Sequence, residues 1–459
     1  MKNYKLTYMY LLSICIFLLI ACEKMIEVDE PINQITKEQV FADVNTANAA
    51  LDNLYMEMQA NSMLSGGNKG LGALLGTYAD DLDAYFQPSS IDNLNIYFNQ
   101  VVASNSVILS VWNNAYKEIY TANAIIEGLD ASDNITEKDR RRIKGEALAI
   151  RTIVYFQLQR IYGSVPYTTT TDYEINRKLP KVPSSELLIK LQSDIALAVG
   201  LLEDAYRNSE RIYFNKKAAQ LVQANIFLEA EKWGDAELVC KEIISNPLYA
   251  IQQDVSKVFK KSSSNILWQL KPLNANQSVL ETGIFYFSAA PPPAYALSQN
   301  LVSSFENTDK RKANWITAIH GSGNTFFRNS KYKNNLTNPD EYSVIIRVEE
   351  VYFVLSEALA KQNRMLEAAP FVNAIRNRSD VSGIAGTLTK EAFLEELLKE
   401  KRREFFAEQG LRFFDLKRNN QLQSLSTVKP NWQQYFKVWP IPQNELILNP
   451  NLNPQNDGY

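Results

Sequence analysis

The chain has 459 residues, of which 46% are hydrophobic and 22% are charged, and its formal net charge is −3. This slightly acidic balance excludes the strongly basic surface that nucleic-acid binding requires. With three cysteines and one histidine, the chain provides neither a disulfide framework nor the usual His and Cys ligands of a zinc site, so we expect no metal centre.

The first 21 residues have the composition of a bacterial signal peptide. Lys2 and Lys5 precede an uncharged run over residues 8–20, which is too short to span a membrane. The run closes with the letters LIAC, which resemble a lipobox, so we expect cleavage before Cys22 and lipid attachment to its thiol. Several acyl chains would anchor the protein, since each buried methylene contributes ~0.8 kcal/mol. The alternative is an ordinary secretory signal in which the cysteine is incidental.

Apolar residues recur at helical spacing through much of the chain. The clearest stripe covers residues 138–162, where Thr136 and Asp139 form a capping box and Gly163 ends the helix. A preceding stripe that begins at Trp112 predicts a partner helix. The predicted helix pairs occupy about 104–162, 184–246 and 347–409.

The second helix pair resembles a tetratricopeptide repeat. Ala224, Phe227 and Ala236 follow its small-aromatic-small spacing, and Cys240 lies one turn further along. Residues 232–234 are predicted to form the turn between the two helices. Small side chains at these positions allow the helices to approach closely.

The last long helix is predicted over residues 390–409 and is expected to end at Gly410. It is densely charged, and acids and bases three or four residues apart on a helix pair with each other. We therefore interpret the charges here as a structural ion-pair scaffold rather than as a reactive site. The residues concerned are Arg402, Arg403, Glu404, Glu408, Arg412, Asp415 and Arg418.

Two stretches, residues 62–100 and 250–346, break the helical pattern and are rich in aromatic, Asn, Ser and Gly residues. Long irregular segments inside a compact helical protein are usually functional. We therefore expect these two stretches to carry the binding site. Trp268, in the strand-like letters ILWQL, is instead predicted to be buried.

Six stretches in chain order resemble the SusD/RagB family of outer-membrane nutrient-binding lipoproteins, and together they cover nearly the whole chain. They are the lipobox at Cys22 and the segments 45–58, 145–167, 347–361, 400–418 and 439–459. The resemblance implies a mainly α, SusD-like single domain over residues 22–459. Such a domain is built on tetratricopeptide-type helix pairs and has a large irregular ligand-binding portion.

The resemblance also implies a function. Members of this family face the cell exterior on the outer membrane, capture a nutrient and deliver it to a SusC-like TonB-dependent transporter. The nutrient is most often an oligosaccharide. They are binding proteins rather than enzymes, and the resemblance implies no cofactor.

A carbohydrate site needs flat rings for the C–H faces of sugars and planar polar groups for their hydroxyls. The irregular stretches supply both, although any single ring has the alternative of a place in the core. For Asp81 and its neighbour Asp80, turn or capping chemistry is the alternative. Our candidates are Asp81, Tyr85, Phe86, Tyr286, Tyr295, Trp315, Phe326 and Arg328.

Three other functions remain open at the level of sequence. The same architecture could capture peptides, which a highly charged cleft would favour. A surface glycosidase would need two carboxyl groups ~5–9 Å apart in an aromatic cleft. A pure interaction scaffold would use the repeat groove. Triad catalysis is disfavoured because the single histidine, His320, lacks a G-x-S-x-G context, and there is no phosphate loop or dinucleotide motif.

Overall fold

The computed structural model describes residues 37–321 and 323–459. The predicted signal peptide and the lipidation at Cys22 therefore lie outside the described residues. No helix in the described part of the chain is both long and apolar enough to cross a membrane.

The described chain is mainly helical. The α-helices are α1 (Lys37–Val40), α2 (Val44–Asn61), α3 (Leu71–Tyr78), α4 (Ile91–Tyr97), α5 (Ser106–Ala131), α6 (Glu137–Tyr162), α7 (Tyr173–Asn176), α8 (Ser184–Leu201), α9 (Lys216–Glu229), α10 (Trp233–Ile244), α11 (Leu280–Phe285), α12 (Gln299–Ser303), α13 (Lys310–Trp315), α14 (Val348–Lys361), α15 (Met365–Arg378), α16 (Lys390–Phe405), α17 (Leu411–Arg418) and α18 (Gln443–Leu448). Short 3₁₀ turns lie at Val255–Lys257, Leu422–Thr427, Gln434–Lys437 and Pro450–Leu452.

Within the described residues, six short strands form two antiparallel sheets. The strands are β1 (Leu82–Ala84), β2 (Ile266–Leu270), β3 (Tyr295–Leu297), β4 (Ile316–Gly321), β5 (Asn324–Asn329) and β6 (Ser343–Arg347). One sheet has the order β1-β3-β5-β4, and the other pairs β2 with β6. The first sheet joins the two stretches that the sequence predicts to be irregular.

The longer helices stack in chain order. Helix α5 packs on α6, α6 on α8, α8 on α9, α9 on α10, α10 on α14, and α14 on α15. Contacts between neighbours in sequence are typical of helical repeats, in which each unit buries its apolar face against the next. The prediction of a mainly α fold built from helix pairs is confirmed.

Helix α6 begins and ends where the sequence predicts. The backbone N–H of Asp139 donates to Thr136 Oγ1 at 3.2 Å, and the Thr136 hydroxyl donates to a carboxylate oxygen of Asp139 at 2.7 Å. The chain leaves the helix at Gly163, whose φ of +76° is accessible to a residue without a side chain.

Helices α9 and α10 meet through small side chains. Ala224, Ala236 and Cys240 are all fully buried between them. The turn lies slightly earlier than predicted, because Trp233 already belongs to the first turn of α10. The backbone reverses at Glu231, which takes a φ of +59°.

The prediction of one helix over residues 390–409 is wrong at its C-terminal end. Helix α16 ends at Phe405, and α17 starts after Gly410. Contacts from residues that are distant in sequence interrupt the helix between Phe405 and Gly410. The Lys331 ammonium group binds the carbonyls of Glu404 and Phe406, both at 2.9 Å.

The two irregular stretches are more ordered than the sequence predicts, since they contain short helices and the four-stranded sheet. They also pack around a small apolar core, which is separate from the main helical core. This small core includes Phe259, Tyr295, Trp315 and Phe406. Trp268, in β2, is fully buried in the main core, as predicted.

Candidate functional site

The four-stranded sheet presents one face to the small core and the other outward. Side chains alternate along a strand, so Leu82 and Ala84 of β1 share one face while Asp83 and the following Tyr85 share the other. Leu82 is part of the small core, which identifies its face as the inner one. The backbone N–H of Tyr85 continues the ladder by donating to the Ala294 carbonyl at 2.7 Å.

Four of the predicted residues gather at the outer face. The rings of Tyr85 and Phe326 lie 5.4 Å apart between centroids, edge to face at 83°. The Arg328 guanidinium lies 4.5 Å from the ring centroid of Tyr286. Phe326 and Arg328 alternate on β5 with Phe327, which is partly buried and packs against the small core, so they share the outer face. We call Tyr85, Tyr286, Phe326 and Arg328 the aromatic platform.

Backbone contacts hold the platform in place. Arg328 Nη1 donates to the Phe287 carbonyl at 2.8 Å, which fixes the guanidinium beside the Tyr286 ring. In the β4–β5 pair, Phe326 lies opposite Ile319 and Arg328 lies opposite Thr317. Tyr85, Phe326 and Arg328 are half-buried, and Tyr286 is 38% exposed. The outer face therefore combines accessible ring surface with a positively charged hydrogen-bond donor.

A polar pocket of about 190 Å³ adjoins the platform at β1. The Tyr97 hydroxyl donates to Asp83 Oδ1 at 3.2 Å, and Lys429 Nζ lies 3.7 Å from the centroid of the Tyr97 ring. Burial raises the pKa of Asp83, and the nearby Asp83 charge adds to the effect of burial in raising the pKa of Tyr85. The Asp83 carboxylate thus lies beside the platform. Gln299 and Asn300 also line this pocket.

Burial also lowers the pKa of Lys429, to about 8. Its ammonium group donates to the Tyr97 carbonyl at 3.0 Å. Sequence reasoning missed Asp83, Tyr97 and Lys429. The first two lie within the irregular stretch 62–100, but Lys429 lies outside both such stretches and had no local signal.

Three predicted ring residues lie on or under the inner face. Tyr295 is 2% exposed and packs against Phe86 with centroids 4.9 Å apart. Trp315 is 1% exposed, and its indole N–H donates to the Val255 carbonyl at 3.0 Å. These side chains support the sheet from beneath and do not reach its outer face.

Asp81 is buried in an ion pair beneath the same sheet. Arg402 Nε donates to Asp81 Oδ1 at 3.0 Å, and the backbone N–H of Ala407 donates to Asp81 Oδ2 at 3.3 Å. Burial raises the pKa of Asp81. For the neighbouring Asp80, burial is outweighed by Arg402 and Arg412, which lower its pKa. The two aspartates tie β1 to the charged helix and the segment after it.

The residues predicted to form a charged scaffold do form ion pairs, but most of their partners lie on distant segments rather than three or four residues away on the same helix. The centre of this scaffold is Glu404, whose carboxylate contacts Arg311 at 3.0 Å, Arg347 at 2.6 Å and Arg378 at 2.6 Å. All four side chains are essentially inaccessible to solvent. Burial opposes ionisation of Glu404, but the three guanidinium groups outweigh it and lower its pKa. We call Glu404 and its three arginine partners the Glu404 cluster.

Lys331, two residues after β5, connects the sheet to this scaffold. Besides the carbonyls of Glu404 and Phe406, its ammonium group pairs with Glu408. Burial lowers the pKa of Lys331 to about 8. The platform is therefore fixed at β1 through Asp81 and at β5 through Lys331. Within residues 37–321 and 323–459, no group of three His, Cys, Asp or Glu side chains is arranged to hold a metal ion.

Two family models match successive parts of the chain. One, described as starch-binding associating with outer membrane, matches residues 24–228, and the SusD family model matches residues 280–435. The chain belongs to the SusD/RagB family.

Individual proteins resemble the chain along nearly its whole length. SusD-like protein P25 of Formosa agariphila is 24% identical, and the match covers 99% of both chains. A SusD superfamily protein from Bacteroides vulgatus has a TM-score of 0.77 at 20% identity, covering 91% of this chain and 100% of its own. Surface glycan-binding protein A from Bacteroides thetaiotaomicron, solved in complex with laminarihexaose, has a TM-score of 0.76 at 17% identity, covering 90% and 99%. The fold is that of the SusD superfamily.

Proposed function

We propose that the protein binds an oligo- or polysaccharide at the cell surface and delivers it to a SusC-like TonB-dependent transporter. The observation that carries this proposal is the aromatic platform. Tyr85 and Phe326 come from distant parts of the chain, yet their rings meet on the outward face of one small sheet.

The platform has the chemistry that a sugar chain requires. Pyranose rings offer flat C–H faces, which pack on aromatic rings, and they carry hydroxyls that both donate and accept hydrogen bonds. Arg328 donates to hydroxyl oxygens, and the Asp83 carboxylate accepts from hydroxyl groups in the adjoining pocket. In this proposal Asp81, Phe86, Tyr295 and Trp315 support the site from beneath, while the platform itself contacts the ligand.

The comparisons support a saccharide rather than a peptide as the ligand. Starch appears in the description of the family model that matches residues 24–228, and laminarihexaose is bound in one structural neighbour. The outer face is aromatic with one guanidinium group rather than densely charged.

The remaining parts of the proposal concern location and partner. We infer that Cys22 carries the lipid anchor and that the protein faces the cell exterior on the outer membrane. The description of the same family model, which names the outer membrane, supports this location. We expect the stacked helices to contact the transporter, leaving the sheet for the ligand.

Calorimetric titration of the chain from residue 23 onward tests the proposal. Laminarihexaose, maltohexaose, xylohexaose and a peptide digest serve as probes. We expect saturable heat with one glycan class and at least a tenfold loss of affinity in Tyr85→Ala and Phe326→Ala. Ile189→Ala is the matched control, because this side chain is 63% exposed on α8, away from the sheet. Heat with peptides alone would overturn the proposal.

We further propose that the protein binds its ligand without converting it. The purified chain is incubated with the glycan that binds in the calorimetric titration, and the mixture is analysed by chromatography. We expect to recover the glycan at its original length. Shorter products that disappear in an Asp83→Asn variant would instead favour a glycosidase.

A further inference from the structure

A second cavity, of about 500 Å³, lies on a different part of the molecule. It is formed by the middle of α5, the segment 166–179 that follows α6, and the C-terminal residues 445–452. Clefts that bind small ligands typically measure about 300–1,000 Å³. The cavity shares no residue with the aromatic platform or the pocket beside it, so it is a separate place on the surface.

Tyrosine rings form the walls of this cavity. Tyr116 and Tyr120 lie one turn apart on α5, and Tyr173 faces them from α7. The Tyr116 hydroxyl donates to the Pro166 carbonyl at 2.7 Å, which holds the two sides of the cavity together. Tyr120 is 54% exposed and Tyr173 is 72% exposed. Such exposure of large rings in a concave site is unusual for a purely structural role.

The cavity also contains a carboxylate without a basic partner. Burial raises the pKa of the Glu445 carboxyl group, the neighbouring Trp112 indole partly offsets this rise, and the Glu445 charge adds to the effect of burial in raising the pKa of Tyr116. Among the described residues, no lysine or arginine forms an ion pair with Glu445. Arg177, which also lines the cavity, is paired with Glu174 at 2.7 Å. A half-buried carboxylate of this kind can accept hydrogen bonds from a neutral donor.

We propose that this cavity is a second saccharide-binding site, in which Tyr120 and Tyr173 pack on the sugar faces and Glu445 accepts from sugar hydroxyls. The proposal rests on the saccharide-binding function proposed above and adds a second point of contact for the same class of ligand. A neutral polyhydroxyl ligand fits both observations, because it offers C–H faces to the rings and hydroxyl donors to the carboxylate. We call this cavity the second site.

Two sites on one chain would favour long polysaccharides over short ones. Once the platform holds one part of a polymer, the second site meets the remainder at a high effective concentration. The gain requires a chain long enough to reach both sites. Trisaccharides would bind each site independently, whereas a polysaccharide would bind more tightly than either site alone.

Equilibrium dialysis with a trisaccharide of the glycan class that binds tests the proposal by counting sites. We expect two sites per chain in the unmodified protein, one in a Tyr120→Ala/Tyr173→Ala variant and one in Tyr85→Ala. The double variant removes exposed side chains, so its melting temperature is expected to match that of the Ile189→Ala control. For the matching polysaccharide, the double variant is expected to lose at least tenfold in affinity.

The outcomes separate the two proposals. One site per chain that survives the double variant and is lost in Tyr85→Ala would overturn the second site and leave the platform intact. One site that is lost only in the double variant would support the second site and overturn the platform. Absence of binding by every saccharide tested would overturn both proposals.

Discussion

Two buried acids, Glu118 among the stacked helices and Glu404 next to the sheet, have opposite surroundings. On α5, the carboxyl group of Glu118 is buried with only the Ser62 hydroxyl donating to it, at 3.2 Å, and it forms no ion pair with any described residue. Near the sheet, Glu404 is equally buried but contacts three arginines. Burial raises the pKa of Glu118 to about 8, whereas the arginines lower the pKa of Glu404.

The two acids show two ways in which a buried carboxyl group is accommodated. Around Glu118 the helices pack through apolar and small side chains, and burial favours the neutral acid. The sheet has short strands and a small core, and buried ion pairs fix its position. The position of the platform therefore depends on charged residues that lie beneath the sheet.

The largest expected effect comes from breaking the Glu404 cluster. Glu404→Ala leaves three buried guanidinium groups without their shared carboxylate, which is expected to cost about 3–5 kcal/mol in the free energy of unfolding. Urea denaturation measures this loss. The matched control is Glu395→Ala, which removes an exposed partner of Lys399 and is expected to stay within about 0.5 kcal/mol. A loss below about 1 kcal/mol for Glu404→Ala would show that the cluster is dispensable.

Removal of the unpaired acid in the helical part is expected to stabilise the protein at high pH. The folded-state pKa of Glu118, about 8, lies above its usual value of 4.5, so the folded chain binds this proton more tightly. The stabilising contribution is fully present below pH 4.5 and is lost as the pH rises through 8. Glu118→Gln is expected to remove this pH dependence and to gain up to ~4 kcal/mol at pH 9. The free energy of unfolding of both proteins is measured between pH 5 and 9. The same pH dependence in both proteins would show that Glu118 does not titrate in this range.

Close helix packing is expected to make the α9–α10 contact sensitive to added volume. Ala224→Leu places three extra carbons at a fully buried position and is expected to cost about 1–3 kcal/mol. The thermal midpoint and a urea curve check the result. An unchanged stability would mean that the helices can separate without penalty.

The smallest expected effect is a gain at the start of α10. A Cβ atom at Gly234 would meet no atom within 4 Å, and this glycine lies in the first turn of a helix. Gly234→Ala is expected to stabilise the protein by about 0.5–1 kcal/mol, because alanine loses less conformational freedom on folding. A destabilised variant would indicate a backbone conformation unfavourable to alanine.

The sequence predicts the stacked helices well because their signals are local. The capping contact between Thr136 and Asp139 spans three residues, and each apolar stripe repeats within one helix. The break after Phe405 could not be predicted in this way, since the groups that cause it belong to Lys331 and Asp81. Because these two residues are far from Phe405 along the chain, the sequence around Phe405 contains no periodic pattern that predicts the break.

The sheet was missed for a related reason. Strands β1 and β3 have three residues each, which is too short for an alternating pattern to be recognised. Composition does single out the two stretches that contain all four strands of this sheet, and it makes Tyr85 and Phe326 candidates for the site. It cannot separate these rings from Tyr295 and Trp315, because strand pairing places Tyr295 on the inner face and contacts with distant segments bury Trp315 at the end of α13.

A crystal structure of the chain from residue 23 onward with the bound oligosaccharide shows directly where the ligand binds. We expect sugar density against the Tyr85 and Phe326 rings, with hydroxyls within hydrogen-bond distance of Arg328 or Asp83. Density confined to the stacked helices, with the outer face of the sheet empty at saturating ligand, would contradict this expectation.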